Sequence, residues 1–121
     1  MSRKVLVCGG RSYMDQQHVW SVLEALHKEA PIGLIVEGGA DGADCWAMTW
    51  AHSNQIDVRE YKANWKEYGP RAGPLRNVEM LIDSQPDLVV AFPGGKGTAH
   101  MIGIARAQGY TVLVAEPVNP A

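Results

Sequence analysis

The residues best suited to chemistry in this sequence stand beside three glycine pairs. Each pair follows a short apolar run, and the pairs are Gly9-Gly10, Gly38-Gly39 and Gly94-Gly95. Glycine lets the backbone approach a ligand closely, and the start of a following helix offers free N–H groups at the positive end of its dipole. These loops therefore predict the binding of an anion such as phosphate. The alternative interpretation is that each pair only makes a tight turn from strand to helix.

The third loop makes the strongest case for phosphate. It consists of Pro93, Gly94, Gly95, Lys96, Gly97 and Thr98. Pro93 fixes the exit from a strand, and Thr98 offers a hydroxyl beside the helix amides. The glycine spacing matches neither the dinucleotide fingerprint Gly-x-Gly-x-x-Gly nor a Walker loop. Lys96 is therefore not interpreted as a P-loop lysine, and a solvated side chain is an equal interpretation for it.

Two arginines are candidates for binding the same anion. Arg11 directly follows Gly10, where its guanidinium can bind phosphate or carboxylate oxygens, with a surface salt bridge as the alternative. Arg76 opens a helix after a Gly-Pro pair, and it is a better candidate than Arg71 in the preceding loop. The sequence therefore predicts that Arg11 and Arg76 hold an anionic ligand.

Three side chains are candidates for acid–base chemistry. Glu37 precedes the second glycine pair, Asp44 lies just inside the next helix, and His100 lies just inside the last one. A carboxylate at such a strand end can also accept hydrogen bonds from ribose hydroxyls, and histidine titrates near neutrality. Asp41 is a further ligand-binding candidate, although an N-cap role is at least as well supported.

Aromatic residues offer surfaces on which a base can stack. Trp65 and Tyr68 fall in a polar loop and are the better candidates for stacking. Trp46 and Trp50 lie four residues apart on a predicted helix, a spacing typical of core or interface residues.

The strands and helices that position these residues are marked in the sequence by apolar runs that alternate with amphipathic segments. We predict strands at 5–8, 34–36, 57–61, 88–92 and 111–115, and helices at 16–29, 43–54, 75–84 and 98–108. Residues 63–74 are predicted to form a loop, and Val78, Leu81 and Ile82 are predicted to share one side of their helix. The pattern indicates an α/β class: a single Rossmann-like, doubly wound, mostly parallel sheet with helices on both faces. Such sheets bind ligands at the carboxyl ends of their strands, where all three glycine pairs are expected.

Length and composition fit one domain over residues 1–121. The chain has 46% hydrophobic residues, a formal net charge of -2 and a pI near 6.0, so a nucleic-acid partner is not expected. Cys8 and Cys45 fit neither a disulfide scaffold nor a metal site, and both are expected to be reduced and buried. The first apolar run is too short for a signal peptide or a membrane span, which predicts a cytoplasmic protein. We expect no metal and no resident cofactor.

Four ordered motifs resemble the YspA-like branch of the SLOG superfamily, which is related to the Lonely Guy phosphoribohydrolases and to DprA-type proteins. The motifs span residues 8–11, 37–44, 72–77 and 91–98. The resemblance implies a Rossmann-like sheet that binds nucleotides or nucleotide-derived signals, with phosphate on the Pro93 loop and Arg76 beside it. The full set of expected ligand-binding residues is Gly10, Arg11, Gly38, Gly39, Asp41, Arg76, Asn77, Pro93, Gly94, Gly95, Lys96, Gly97 and Thr98.

The resemblance also implies homo-oligomers. Trp46, Trp50 and residues 101–104 are candidate contact surfaces, with burial inside the monomer as an equal interpretation. Lonely Guy enzymes carry a glutamate three residues after the threonine of their Pro-Gly-Gly-x-Gly-Thr motif, whereas this sequence has Met101 there.

Two functions stay open on this sequence. The slightly favoured one is a binding module, meaning a sensor, carrier or sequestering protein for a phosphorylated, nucleotide-derived ligand. The alternative is a hydrolase that cleaves an N-glycosidic bond, with Glu37, Asp44 or His100 as its acid–base residue.

Overall fold

Five parallel strands form one sheet in the computed structural model, which describes residues 2–116. The strands are β1 (Arg3–Cys8), β2 (Ile32–Glu37), β3 (Asp57–Glu60), β4 (Leu88–Ala91) and β5 (Val112–Val114), in the spatial order β3-β2-β1-β4-β5. All four neighbouring pairs run parallel. Met1 and the proline-containing tail at 117–121 lie outside the described residues.

Helices cover both faces of the sheet. They are α1 (Gln16–Glu29), α2 (Ala43–Ser53), α3 (Trp65–Tyr68), α4 (Ala72–Ser84) and α5 (Lys96–Ala107). Successive strand residues point to opposite faces, so Val5 and Val7 pack in a core with α1 and α2, whereas Leu6 and Cys8 pack with α4 and α5. The predicted α/β class with a doubly wound, Rossmann-like sheet is confirmed.

The strand order reverses between β1 and β4. The chain runs from β1 outward through β2 to β3, and then returns to the other side of β1 to form β4 and β5. The ends of β1 and β4 are joined by two hydrogen bonds, from Phe92 N to Cys8 O and from Gly10 N to Pro93 O, both 2.9 Å. The first and third glycine loops therefore meet at the switch point where such sheets bind ligands.

The prediction that residues 63–74 form a loop is wrong. The segment contains α3, a 3-10 turn at Gly69–Arg71 and the first residues of α4. Asn64 caps α3, because its side chain accepts a hydrogen bond of 3.1 Å from Glu67 N. Pro74 is tolerated in the first turn of α4, where no residue needs a backbone N–H for an intrahelical bond. Glycine and proline at these positions mark a helix start rather than a break.

The three apolar residues that were predicted to share one side of α4 differ in burial. Leu81 is buried, but Val78 is 40% exposed and Ile82 is 60% exposed. The face that packs on the sheet instead carries Asn77 and Met80 beside Leu81. Leu75, Val78 and Ile82 thus form an exposed apolar stripe along the outer side of α4.

Two of the candidate oligomer contacts lie inside the monomer. Trp50 and Met101 are fully buried, and Trp50 Nε1 donates to Glu24 Oε2 at 3.0 Å. Trp46 is half-buried and donates from Nε1 to Tyr13 O at 3.1 Å. The core interpretation is the correct one for Trp50 and Met101.

Both cysteines are free thiols, with Cys8 buried and Cys45 half-buried. No helix within residues 2–116 is long and apolar enough to cross a membrane.

Candidate functional site

A cavity of about 680 Å³ opens at the carboxyl ends of β1 and β4. Its floor is apolar and includes Val7, Cys8 and Met80. Its polar rim gathers ten of the residues that the sequence singled out: Gly10, Arg11, Asp44, Arg76, Asn77, Gly95, Lys96, Gly97, Thr98 and His100. A mixed cavity of this size fits a small organic ligand with polar groups at defined points.

A second cavity of about 310 Å³ lies beside the first. The two share Arg11, Ala40, Trp65 and Arg76, while Gly38, Gly39, Asp41, Lys62 and Ala63 line the second alone. Pro93 and Gly94 line neither cavity. Gly94 instead lets two loops pack together, since a Cβ there would lie 2.7 Å from Gly10 N.

The three glycine loops differ in whether their N–H groups are free. Gly10 N is bonded to Pro93 O, as described above. In the second loop, Asp44 Oδ2 accepts from Gly38 N at 3.2 Å and from Ala40 N at 3.3 Å. Glu37 Oε1 accepts from Gly39 N at 2.6 Å. The protein's own carboxylates therefore take the amides that the sequence assigned to a ligand.

The first turn of α5 keeps its N–H groups free. Gly95 is the N-cap and provides no side-chain cap, and the first intrahelical donor is Ala99 N, which bonds Gly95 O at 3.0 Å. Among the hydrogen bonds of residues 2–116, none uses the N–H of Lys96, Gly97 or Thr98. Three unpaired donors at a helix N-terminus, on the wall of a cavity, form a favourable position for an anion.

Packing within the protein does not explain glycine at two of these positions. A Cβ placed on Gly95 or Gly97 would meet no atom within 4 Å. Both residues line the main cavity, so the missing side chains leave space on the ligand side. This differs from Gly10, where a Cβ would lie 3.0 Å from Pro93 O.

Arg76 begins a network of hydrogen bonds across the cavity wall. Its Nη1 donates to Gly38 O at 2.5 Å, and its Nε donates to Asn77 Oδ1 at 3.1 Å. Asn77 Nδ2 in turn donates to Gly97 O at 3.2 Å and lies 3.1 Å from His100 Nδ1. Burial lowers the pKa of Arg76, and the nearby charge of Asp44 partly opposes this shift. The guanidinium is thus fixed in place before any ligand arrives.

Asp44 is the buried acid of the main cavity. The residue is only 6% exposed, and burial raises the pKa of its carboxyl to about 6, although the N–H of Ala40 and the charge of Arg76 oppose the rise. Asp44 is not isolated from the solvent-filled space, because it lines the cavity. A carboxylate so placed can accept a hydroxyl proton or stabilise a developing positive charge.

Glu37 lies behind the second loop and lines neither cavity. It is 1% exposed, and burial raises its pKa to about 8, with Asp44 and Glu60 adding to the rise. Its Oε2 is buried and, among the described residues, has no hydrogen-bond partner. Of the three expected catalytic residues, the structure brings Asp44 and His100 to the cavity and leaves Glu37 in the interior.

Asp41 and Cys8 line different cavities, Asp41 the second and Cys8 the main one. Asp41 does not cap α2, because the N-cap is Gly42, and its side chain lies exposed at the second cavity. Burial raises the pKa of the Cys8 thiol to about 12, so the floor of the main cavity contains no thiolate nucleophile at neutral pH.

Sequence reasoning missed Lys62 and underrated the pair formed by Arg11 and Trp65. The Cζ atom of Arg11 stands 4.9 Å from the centre of the Trp65 ring, and both residues line both cavities. Lys62 lies just beyond the end of β3, a position that the strand-end rule could have flagged. Tyr68 lines neither cavity, so Trp65 is the aromatic surface of the site.

Comparison with known proteins places the chain in a family. Residues 3–68 match the model of the YAcAr family, described as YspA, cpYpsA-related SLOG family. The chain is also 38% identical over 120 residues to the Gene 61 protein of Mycobacterium phage D29, an alignment that covers 92% of this chain and 94% of the relative. This chain belongs to the YspA, cpYpsA-related SLOG family.

Solved structures resemble this SLOG chain in fold. The structural-genomics target TM1055 aligns with a TM-score of 0.73 at 22% identity, over 91% of this chain and 72% of that one. DNA processing protein A (DprA) from Streptococcus pneumoniae aligns with a TM-score of 0.51 at 18% identity, over 93% and 58% of the two chains. At these identities the likeness establishes the Rossmann-like fold alone, and SLOG membership supports a general nucleotide-related role.

Proposed function

We propose that this SLOG chain binds a nucleotide or nucleotide-derived phosphorylated ligand, as a sensor, carrier or sequestering module, with a phosphate on the first turn of α5. The observation that carries the proposal is the set of free N–H groups on Lys96, Gly97 and Thr98 at the wall of the main cavity. Lys96 and Arg76, which line the same cavity, add positive charge. The site is therefore basic although the whole chain carries a net charge of -2.

The remainder of the cavity favours a nucleotide over inorganic phosphate. Val7, Cys8 and Met80 provide an apolar floor, and the exposed Trp65 offers a ring for stacking. Asp44 offers an acceptor for ribose hydroxyls. A ligand with a phosphate, a sugar and a base uses all of these features.

The test compares two glycines of α5, one that lines the cavity and one that does not. A Cβ meets nothing within 4 Å at either Gly97 or Gly103, but only Gly97 lines the cavity. We expect Gly97→Val to reduce the affinity for adenine and guanine nucleotides by more than about tenfold in calorimetric titrations, because its side chain occupies the phosphate position. The matched Gly103→Val should bind as the wild type does. Equal affinities in the two folded variants would overturn the phosphate site, and Gly95→Val provides a second test of the same kind.

A second candidate function is hydrolysis of an N-glycosidic bond. The observation in its favour is that Asp44 and His100 line the same cavity as the free amides of α5. In such a reaction the bond between C1′ and the base breaks with its electron pair going to the base, and the base takes a proton from an acid. Water bonds to C1′ and releases a proton, which restores the acid. Asp44 would stabilise the positive charge at C1′, and His100 Nε2 would donate a proton. Met101 stands at the sequence position of the Lonely Guy glutamate, and it is fully buried in the apolar core.

Mass spectrometry separates the two functions. The protein is incubated with nucleotides and ADP-ribose derivatives, and the products are identified. Recovery of intact bound ligand supports the binding module. Release of free base, at a rate lost in Asp44→Ala or His100→Ala, supports the hydrolase.

We also propose that the protein forms a homo-oligomer and is located in the cytoplasm. We place the contact surface of a homo-oligomer on the exposed stripe of α4, since Leu75 and Val78 flank the site residues Arg76 and Asn77 in sequence. A cytoplasmic location is supported by the free thiols of the protein. A nucleic-acid partner is not proposed, because the chain carries a net charge of -2 and its sequence has no run of basic residues.

A further inference from the structure

The second cavity has its own positive charge at a distance from the α5 amides. Arg11, Lys62 and Arg76 line it, against the single carboxylate of Asp41. Lys62 and Asp41 belong to this cavity alone, whereas Lys96 and Thr98 belong to the main cavity alone. Each cavity therefore has a basic group that the other lacks.

The two cavities share four lining residues, and Arg11 and Trp65 among them form a stacked pair. Arg11 and Trp65 line both, and the guanidinium stacks on the ring at 4.9 Å from its centre. The edge of Trp65 rests against α4, where a Cβ on Gly73 would lie 3.2 Å from its Cη2 atom. A ligand that reaches from α5 to Lys62 passes this pair, with the ring as its supporting surface.

The glycine loop of the second cavity does not offer its amides to an anion. The N–H groups of Gly38, Gly39 and Ala40 are already bonded to Asp44 and Glu37. The positive charge available to an anion there comes from the side chains of Arg11, Lys62 and Arg76. Arg76 Nη1 is committed to Gly38 O, and Lys62 Nζ stands 3.7 Å from Glu60 Oε2 in a loose, exposed ion pair. Arg11 and Lys62 are the cations free to turn toward a ligand.

We propose that the preferred ligand carries two anionic groups at opposite ends, one on the α5 amides in the main cavity and the other on Lys62 and Arg11 in the second. This inference rests on the proposed function and narrows its ligand class to two-ended phosphorylated nucleosides and related molecules. A nucleotide whose phosphates are consecutive at one end leaves the second cavity empty of anions.

The test uses probes that share a base and a phosphate count. ADP carries both phosphates at one end, whereas adenosine 3′,5′-bisphosphate and adenosine 2′,5′-bisphosphate carry one at each end. We expect calorimetric titration of the full chain to show that at least one bisphosphate binds more than about tenfold tighter than ADP. The ratio of the affinity for that bisphosphate to the affinity for ADP should fall toward one in Lys62→Met. Lys66→Met is the matched control, since Lys66 lines neither cavity, and it should keep the wild-type ratio.

The outcomes separate this inference from the function on which it rests. If ADP binds in a manner sensitive to Gly97→Val but neither bisphosphate is preferred, the two-ended ligand is wrong and the phosphate site stands. A preference that survives in Lys62→Met also overturns the inference. Absence of binding by all three probes to the wild-type protein overturns both.

Discussion

Asn77 Nδ2 lies 3.1 Å from His100 Nδ1, and this contact joins α4 to α5 at the wall of the cavity. The same nitrogen donates to Gly97 O, while Asn77 Oδ1 accepts from Arg76 Nε. The amide has one orientation, because Arg76 Nε can only donate and Gly97 O can only accept. His100 Nδ1 is therefore the acceptor, and the neutral imidazole has its proton on Nε2.

Asn77→Leu should remove the preference of His100 for the Nε2–H tautomer. Leucine has a similar shape but donates no hydrogen bond, so His100 Nδ1 loses its partner. We expect the ¹⁵N chemical shifts of His100 to move from a single Nε2–H tautomer toward a mixture, and the free energy of unfolding to fall by about 1–3 kcal/mol. Asn54→Leu is the control, because Asn54 donates to Trp50 O and is remote from the cavity lining. Unchanged His100 shifts in Asn77→Leu would contradict the assignment.

Gly38→Ala should displace the guanidinium of Arg76. An added Cβ would lie 2.8 Å from Arg76 Cζ and 3.1 Å from Asp44 Oδ2, closer than these atoms tolerate. We expect urea unfolding to show a loss of about 1–3 kcal/mol and nucleotide titration to show weaker binding. Gly103→Ala, in open space on α5, should instead gain up to about 1 kcal/mol. Wild-type affinity in folded Gly38→Ala would show that Arg76 does not position the ligand.

The sequence predicted the sheet and the place of the site because both follow from local patterns. Apolar runs that end in glycine pairs mark buried parallel strands, and the ends of such strands meet at one edge. That rule alone predicts that Arg11, Asp44 and Gly97 lie close together. Helix α3 escaped prediction, since glycine and proline around it resemble a loop until the cap from Asn64 is seen.

The sequence could not show which N–H groups stay free. The sequence favoured the third loop, but it offered all three glycine pairs as anion sites. Only the three-dimensional arrangement shows that Asp44 and Glu37 saturate the second loop, while the first turn of α5 has no such partner among the described residues. Long-range contacts of this kind depend on side chains that are close in space and not on any local motif.

Glu37→Gln should change how stability depends on pH. Burial raises the pKa of Glu37 from 4.5 to about 8 in the folded protein, so the folded state holds a proton that the unfolded state loses. Its contribution is fully present below pH 4.5 and is lost as pH rises through about 8. Glutamine stays neutral, and we expect urea unfolding at pH 9 to give Glu37→Gln an advantage on the order of 1 kcal/mol or more over the wild type. As a control, Glu79→Gln changes an exposed side chain, and its free energy of unfolding should depend on pH as that of the wild type does. If Glu37→Gln also shows the wild-type pH dependence, Glu37 is ionised in the folded protein and the prediction is wrong.

Ile82→Asp should dissociate a homo-oligomer that forms through α4. Leu75, Val78 and Ile82 recur at the spacing of one helix face, and Ile82 is the most exposed of them. A charge there must be desolvated on association, so light scattering after size exclusion should give a lower mass for Ile82→Asp than for the wild type at equal concentration. Met14→Asp is the control, because Met14 is 77% exposed and lies in the loop before α1, away from the stripe. A wild-type monomer, or an oligomer whose mass Ile82→Asp leaves unchanged, would exclude the α4 stripe as the contact surface.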